Sequence, residues 1–428
     1  MLLSLKNIGK IDKAAIEFNG ITVIAGENNT GKSTVGKALF AVCNSFSSLD
    51  KKIDFERRKS VENILSRLRF GSGSSFLRTF KVNALAGNII RKYSERVNKA
   101  TDLDLQDEIA AEITEYDENI AKNVDAELIH DVSSNILASL QVPERSIFVS
   151  ILETKLNAEF SQQISNVYNE KSGEIELGYK GKTFSIIVKG ENITHVSKDV
   201  VLPFMADAIY VDDPFVLEDY RIILQNFFSG IRDHQIDLQS KLSITNENVN
   251  IVDGIIAGDK LKAITDKISE ACSGEIVFDK GHFRYRKKGS KKNLNLHNLS
   301  TGIKSFVILK MLILNGTLKN GAVLILDEPE IHLHPDWQLL FAEIIVLLQK
   351  ELGLYVLLNT HSPYFLRAIE VYAAKHEVAD KCKYYLSENV KEKANIADVT
   401  HDIEKIYAKL ARPLQALEDE RWKNAESE

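Results

Sequence analysis

The sequence is poor in the residues that mark secreted proteins and structural metal sites. Its 428 residues include only three cysteines and seven prolines. Cys43, Cys272 and Cys382 are far apart and follow no spacing typical of a disulfide framework or a zinc site. Because few, unpatterned cysteines fit a reducing compartment, we expect a cytoplasmic protein without disulfide bonds.

Long hydrophobic runs and an excess of positive charge are also missing. No apolar run approaches the ~20 residues that cross a bilayer, and the first residues lack the apolar segment of a signal peptide. We therefore expect no membrane partner. The formal net charge of −6 gives no global cationic field, so any nucleic-acid contact needs a local patch. An apolar fraction of 44% is that of an ordinary globular protein.

The most informative stretch is residues 323–335, which read VLILDEPEIHLHP. Its apolar half predicts a strand that is buried on both faces, as in a parallel sheet covered by helices. Asp327 and Glu328 follow at the carboxyl end of this strand, where open α/β sheets bind ligands. One acid could hold Mg²⁺ and the other could activate water. The alternative is a strand end followed by a solvated acidic turn.

A glycine-rich turn lies near the N-terminus. Residues 26–33, GENNTGKS, have the form G-x-x-x-x-G-K-S between an apolar strand and a helix-prone segment, which is the context of a P-loop. The N–H groups of such a turn surround phosphate oxygens, and the helix N-terminus adds a favourable dipole. Lys32 would reach the β- and γ-phosphates, and the Ser33 hydroxyl would bind Mg²⁺. The alternative is a glycine turn with a chance GKS.

The order of strand-like and helix-like segments predicts an α/β protein with helical insertions. Strand patterns occur at 2–25, 174–196 and 207–212, whereas apolar residues between about 45 and 170 recur at helical spacing with frequent breaks. The predicted limits are 1–44 for the N-terminal part of an α/β head, 45–170 for a helical insertion, 171–213 for further head strands, 214–272 for a helical subdomain, 273–386 for the C-terminal part of the head, and 387–428 for a helical, acidic tail.

A short stretch after residue 279 is rich in positive charge. It could lie on DNA or RNA phosphates. A solvated loop is the alternative, since most charge runs are solvated. The cations are Lys280, Arg284, Arg286, Lys287, Lys288, Lys291 and Lys292.

The order of the motifs is that of a known family. The P-loop is followed by Leu-Ser-x-Gly at 299–302, by apolar-Asp-Glu-Pro at 323–329, and by an apolar strand that ends in His361. This order resembles the ABC-class ATPases, including the chromosome-maintenance and RecF-like branches. The strings DEPEIHLHP and NTHSPYFL resemble most the overcoming-lysogenization-defect (OLD) ATPases and the PtuA-like ATPases of Septu defence systems. The resemblance implies an ABC-type head with a mixed sheet, a P-loop and an antiparallel β subdomain.

The resemblance also implies roles, with ATP and Mg²⁺ as cofactors. Asp327 looks like the Walker B acid, Glu328 the general base and His361 the switch histidine that senses the γ-phosphate. Ser300 and Gly302 look like signature residues that act on the nucleotide of another subunit, with 332–336 at the same interface. The chain would then form a homodimer or higher homo-oligomer through ATP. The implied phosphate-binding residues are Gly26, Asn28, Asn29, Thr30, Gly31, Lys32, Ser33 and Thr34.

Two features of the family are not found in clear form. The family's Q-loop glutamine has only weak candidates, Gln141, Gln162 and Gln163. The Asp-x-Asp of the Toprim nuclease in OLD proteins does not follow His361. We therefore expect no nuclease in this chain and a separate effector protein.

Three functions are compatible with these motifs. The leading hypothesis is a cytoplasmic ATPase that dimerises through ATP and regulates a separate nuclease or toxin in anti-phage defence. The second is a RecF-like repair ATPase whose basic hairpin rests on DNA. The third is a scaffold that binds ATP without hydrolysing it; the paired acids and His361 argue against it.

Overall fold

The computed structural model describes residues 1–68, 75–97, 101–117, 120, 122, 124–197, 207–218, 233–243, 251–279 and 282–426. The chain divides into two compact units. One consists of Met1–Ser47 together with Leu152–Glu428, and the other of Ser48–Ile151. The first unit is α/β and carries the P-loop, the signature, the paired acids and His361, whereas the second is helical.

An eleven-stranded mixed sheet forms the α/β unit, in the order β6-β5-β4-β1-β2-β14-β13-β3-β12-β11-β7. The strands are β1 (Leu2–Ile8), β2 (Ile11–Glu17), β3 (Ile21–Gly26), β4 (Gly173–Tyr179), β5 (Lys182–Lys189), β6 (Asn192–Val196), β7 (Ala208–Val211), β11 (Val323–Asp327), β12 (Tyr355–Thr360), β13 (Cys382–Val390) and β14 (Lys393–Asp398). A second sheet has the order β10-β9-β8, from β8 (Glu275–Asp279), β9 (His282–Arg286) and β10 (Leu294–Asn295).

The two halves of the large sheet differ in strand direction and burial. β13, β3, β12, β11 and β7 run parallel, and all six residues of β3 are buried, because helices cover both faces. β2, β1, β4, β5 and β6 are antiparallel and alternate between buried and more exposed residues. The predicted α/β class, with a mixed sheet and an antiparallel β portion, is confirmed.

The helices of the α/β unit pack on the parallel half of the sheet. They are α1 (Lys32–Phe46), α7 (Asp233–Leu242), α8 (Ile251–Ala271), α9 (Thr301–Leu314), α10 (Pro335–Leu352), α11 (Pro363–Lys375) and α12 (Glu404–Glu426). Leu238, Leu261 and Ile268 belong to the same core cluster as Leu324 of β11. The helices predicted as a separate subdomain at 214–272 therefore share the core of the head.

The prediction of a helical tail from residue 387 was wrong for its first part. Residues 382–398 form the antiparallel hairpin β13–β14, which is inserted between β3 and β2. Only after this hairpin does the chain become helical, from Glu404. The Glu and Lys residues at 388–393 favoured helix, but pairing in the middle of a sheet outweighs such local propensity.

The helical unit has its own core. It contains α2 (Leu49–Leu65), α3 (Ser75–Tyr93), α4 (Asp102–Tyr116), α5 (Ala126–Gln141) and the start of α6 (Glu144–Phe160). Val61, Ile89, Ile109 and Ile136 are fully buried in one cluster. Within the described part of the chain, no helix combines the length and apolarity needed to cross a bilayer.

Candidate nucleotide-binding site

The P-loop follows β3 and ends at the N-terminus of α1. Gly26 has a φ of 155°, and a Cβ there would lie 2.1 Å from the carbonyl oxygen of Ser387. Gly31 is the N-cap of α1, with a φ of 86°. The Thr30 hydroxyl donates to the Glu27 carbonyl (2.8 Å), and the Ser387 hydroxyl donates to the Thr30 carbonyl (2.6 Å). These contacts fix a turn that only glycine allows at its first residue.

Lys32 lies inside this turn. Its side chain is buried, and Nζ donates to the carbonyls of Gly26 (3.3 Å) and Glu27 (2.7 Å). Burial lowers the pKa of Lys32, whereas the nearby charges of Glu328 and Asp327 oppose that shift. The ammonium is held by neutral carbonyls, so it can supply a positive charge to an anionic ligand.

The register of three neighbouring strands brings the two motifs together. Asn359 on β12 pairs with Ile24 of β3 on one side and with Asp327 of β11 on the other. Since neighbouring strands lie about 4.8 Å apart, the backbones of Ile24 and Asp327 are separated by about 10 Å. The carboxyl ends of β3, β12 and β11 therefore form one edge at which the P-loop and the acids face the same space.

Two hydrogen bonds hold the Asp327 carboxylate. The Asn359 side-chain amide donates to Oδ1 and the Tyr210 hydroxyl donates to Oδ2, each at 2.9 Å. Tyr210 lies on β7, the neighbour of β11 on the other side. The carboxylate is thus oriented from both neighbouring strands.

Glu328 is in contact with His361. Glu328 has a φ of 52°, which is uncommon for a residue with a side chain, and its N–H donates to the Asn359 carbonyl (2.9 Å). Its Oε1 lies 2.5 Å from Nε2 of His361. The hydrogen bond with His361 lowers the pKa of Glu328, although partial burial opposes the shift. The carboxylate is therefore ionised at neutral pH and paired with the predicted switch residue.

Glu330 is a site residue that the sequence analysis missed. It is buried, and Oε1 accepts from the Thr360 hydroxyl (2.5 Å), the His361 N–H (2.9 Å) and the Ser362 N–H (3.2 Å). Burial raises its pKa, and those hydrogen bonds limit the rise. Glu330 fixes the start of the segment that carries His361. The only sequence signal was a third acid close to Asp327.

The signature residues line a separate pocket. Ser300 is the N-cap of α9. An open pocket is lined by Ser300, Thr301 and Gly302 together with His332, His334 and Trp337. No P-loop residue lines it. In the described part of the chain, no cluster of three or more His, Cys, Asp or Glu residues could hold a metal ion, which leaves His332 and His334 without the third ligand of a metal site.

The predicted basic patch is smaller than the sequence implied. Arg286 pairs with Glu275, with NH2 2.6 Å from Oε1. Four exposed lysines remain in the turn and bend between β9 and β10: Lys287, Lys288, Lys291 and Lys292. Lys280 lies outside the described residues.

Of the candidate Q-loop glutamines, Gln162 and Gln163 follow α6. The next residue, Ile164, accepts a hydrogen bond from the N–H of Gly9 (2.9 Å) in the turn between β1 and β2. Gln141 belongs to the helical unit. The hydrogen-bond partners of Lys32 and Asp327 include none of the three, so the assignment stays a prediction.

The residues present fit a magnesium–nucleotide. Lys32 and the N-terminus of α1 would face phosphate oxygens, and Ser33 and Asp327 offer the oxygen ligands that Mg²⁺ prefers. Glu330 Oε2 and Asn359 Oδ1, both buried at this edge, lack hydrogen-bond partners. Unpartnered buried oxygens are typical of a site that awaits a donor or a cation.

Comparison with solved structures finds SMC head domains. One is titled as the SMC head domain from Thermotoga maritima; the identity is 13%, the match covers 93% of this chain and 98% of that chain, and the TM-score is 0.37. Another is an Smc head domain with an extended coiled coil bound to the C-terminal domain of ScpA, derived from Pyrococcus furiosus. It has 11% identity, 98% coverage of both chains and a TM-score of 0.39.

No curated protein matches the chain. A family model described as "AAA domain, putative AbiEii toxin, Type IV TA system" matches residues 21–367, which include the P-loop, the signature, the paired acids and His361. Because this match covers most of the sequence, the chain belongs to that AAA-domain ATPase family.

Proposed function

We propose that this chain binds ATP with Mg²⁺ and hydrolyses it slowly, as a switch. The observation that carries the proposal is the meeting of Lys32, Asp327, Glu328 and His361 at the carboxyl ends of three adjacent strands. Phosphoryl transfer to water needs positioning and charge stabilisation more than covalent chemistry. Each of these four side chains would contribute to positioning or to charge stabilisation.

The roles of the chain's own residues follow from their contacts. The Lys32 ammonium and the N–H groups of the P-loop would neutralise phosphate charge, and Ser33 and Asp327 would hold Mg²⁺. The metal would supply additional charge stabilisation to the phosphates. Glu328, whose pKa is lowered by its contact with His361, would orient and deprotonate the attacking water.

The contact between Glu328 and His361 also suggests how the switch works. In this structure the imidazole of His361 contacts the Glu328 carboxylate, which is the group that would act on water. A terminal phosphate would offer His361 a second acceptor, so its arrival would free Glu328. Glu328 would act on water only after His361 has moved to the terminal phosphate. The need for this rearrangement fits slow turnover.

We further propose that ATP joins two copies of the chain and that the dimer acts on a separate effector. The signature pocket of Ser300 and Gly302 does not include the P-loop of its own chain, so the pocket suits a nucleotide held by another copy. The family description names a putative toxin of a toxin–antitoxin system. We propose that this chain works with a second protein, a nuclease or toxin, in cytoplasmic anti-phage defence, as the resemblance to the PtuA-like ATPase subunits suggests.

The test is Glu328→Gln. Loss of the base should lower the hydrolysis rate by a factor of about 100 or more while ATP is still bound, because one general base contributes about 10²–10⁴-fold. Phosphate release measures the rate, and light scattering after size exclusion measures the mass. We expect the variant to accumulate as an ATP-bound dimer.

The matched control is Ser300→Arg in the Glu328→Gln background. A bulky cation in the signature pocket should leave nucleotide binding intact and keep the protein monomeric. Normal hydrolysis by Glu328→Gln would contradict the assignment of the base. Binding of ATP by the unaltered chain with no phosphate release at all would instead favour the scaffold.

A RecF-like function on DNA remains the second candidate. The four exposed lysines between β9 and β10 are the specific observation in its favour. They form one compact patch on a chain whose net charge is −6, so any affinity for DNA should depend on them.

A further inference from the structure

Tyr210 is buried at the base of the candidate site, and it holds one oxygen of Asp327. It lies on β7 opposite Ile325 of β11. Its hydroxyl donates to Asp327 Oδ2 at 2.9 Å, while Asn359 donates to Oδ1. Each carboxylate oxygen has about two lone-pair positions, so both oxygens keep capacity for a cation or a further donor.

The P-loop helix leaves room for this hydroxyl. A Cβ on Gly36 of α1 would lie 3.1 Å from the Tyr210 hydroxyl oxygen and 3.1 Å from Cγ2 of Ile325. Glycine inside a helix carries an entropic cost relative to alanine. The close approach of Tyr210 gives a physical reason for this glycine.

His234 stacks on the ring of Tyr210. The two rings stack with centroids 4.4 Å apart and an angle of 22°. The imidazole is fully buried, with Nδ1 2.7 Å from Glu159 and Nε2 3.0 Å from Asp212. The His234 N–H also donates to Glu159 (2.8 Å). The imidazole is therefore fixed in position and orientation by groups on both sides.

Burial and neighbouring charges shift the pKa values of His234 and Tyr210. Burial alone would lower the pKa of His234, but the adjacent carboxylates of Asp212 and Glu159 outweigh burial and raise it to about 9. Burial and the Asp327 charge raise the pKa of Tyr210 well above its usual value. Among the described residues, the Tyr210 hydroxyl donates its hydrogen bond to Asp327 Oδ2.

We propose that Tyr210 is a positioning residue that sets the orientation of the metal-binding carboxylate of Asp327, and that His234 positions Tyr210 by stacking on it. This inference rests on the proposed nucleotide site. It assigns Tyr210, His234 and Glu159 a role in metal affinity, although none of them belongs to the P-loop or to the paired acids. Partners of metal ligands typically change metal affinity or activity by about 10–100-fold when they are removed.

The test is Tyr210→Phe in the Glu328→Gln background, so that hydrolysis does not disturb the measurement. Mn²⁺ is titrated into the protein in the presence of ATP, and free Mn²⁺ is measured by electron paramagnetic resonance. We expect the Mn²⁺ concentration for half-saturation to rise by about 10-fold. The affinity for ATP without metal should change by less than about twofold, because Tyr210 contacts no P-loop carbonyl or N–H.

The matched control is Tyr385→Phe. Tyr385 is equally buried, and its hydroxyl accepts from the Glu17 N–H (2.8 Å), away from the acids. This variant should bind Mn²⁺ like the unaltered protein. His234→Gln should weaken Mn²⁺ binding in the same direction, and adding it to Tyr210→Phe should cause no further loss, since His234 acts through Tyr210.

Two results would overturn the proposal. One is a Mn²⁺ half-saturation in Tyr210→Phe that equals that of the Tyr385→Phe control. The other is an equal loss of Mn²⁺ binding, metal-free ATP binding and thermal stability, which would indicate a structural role alone. Intact Mn²⁺–ATP binding without hydrolysis in the unaltered chain would remove the hydrolytic part of the proposed function and leave this inference standing.

Discussion

Glu330 and Asp327 share an edge of the sheet but differ in what surrounds them. Three donors from residues 360–362 converge on one oxygen of Glu330, so this carboxyl group holds the segment that carries His361. Asp327 accepts one hydrogen bond on each oxygen and keeps capacity for a cation. One oxygen of Glu330 is thus taken up by the segment that carries His361, whereas both oxygens of Asp327 keep room for a further partner.

Substitution of Gly36 tests the close packing around Tyr210. Gly36→Ala would place a methyl group 3.1 Å from both Tyr210 and Ile325, which are fully buried and have little room to move. We expect a loss of stability of about 1–3 kcal/mol, as for other overpacked cores, together with weaker Mn²⁺ binding. Urea unfolding and the Mn²⁺ titration measure the two effects.

Gly87→Ala is the control for that substitution. Gly87 also lies inside a helix, α3, but nothing lies within 4 Å of its Cβ position. Alanine should therefore stabilise α3 by about 0.5–1 kcal/mol. If both substitutions stabilised the protein, the explanation of Gly36 by close packing would be wrong.

Elements are joined in the head by buried charge as well as by apolar contact. Glu343 on α10 is nearly buried and contacts Lys267 of α8 (2.6 Å), Lys375 of α11 (2.8 Å) and His376 just after it (3.0 Å). Burial alone would raise the pKa of Glu343, but the hydrogen bonds from Lys267, Lys375 and His376 outweigh burial and lower the pKa to about 2. One carboxylate thus ties three helices together.

The pH dependence of Glu343→Gln tests this linkage. Because the folded pKa is depressed from 4.5 to about 2, the stabilisation is complete above pH 4.5 and is lost as the pH falls toward 2. At 1.36 kcal/mol per pKa unit, and with a discount for the exposed lysine partners, we expect a deficit of about 2 kcal/mol at pH 7. The deficit should shrink by about half near pH 3.5, as measured by urea unfolding.

Glu351→Gln is the comparison for Glu343→Gln, since Glu351 is exposed near the end of the same helix. It should change the free energy of unfolding by less than about 0.5 kcal/mol at either pH. A Glu343→Gln deficit that stayed constant down to pH 3.5 would show that packing, and not charge, joins the helices.

At the scale of the whole molecule, the four lysines between β9 and β10 decide between the two proposed functions. Charge reversal at Lys287, Lys288, Lys291 and Lys292 should abolish any DNA binding and flatten its salt dependence, because each phosphate contact contributes about −0.9 to the slope of log K against log salt. Filter binding at several salt concentrations measures both. ATP hydrolysis in the absence of DNA should be unchanged.

If that variant still bound DNA with the salt slope of the unaltered chain, the patch would be a solvated surface. DNA binding that disappeared, with hydrolysis no longer stimulated by DNA, would favour the RecF-like function. No binding by the unaltered chain would leave the regulation of a separate effector as the better proposal.

The sequence by itself determined the site motifs and the fold class. The P-loop and the strand 323–327 carry their signals within a few residues, because a glycine turn and a doubly buried strand are local in origin. Reliance on local signals also explains why a helix was wrongly predicted at 387–398. Glu and Lys favour helix locally, and only pairing with β3 and β2 makes that segment two strands.

Only the tertiary structure decided which residues support the acids. Tyr210, His234 and Glu159 carry no motif, and 117 residues separate Tyr210 from Asp327. Strand register and burial bring them together, and burial then makes each unpaired polar group costly enough to require a partner. Long-range pairing of this kind depends on the whole sheet, so no local sequence pattern could reveal it.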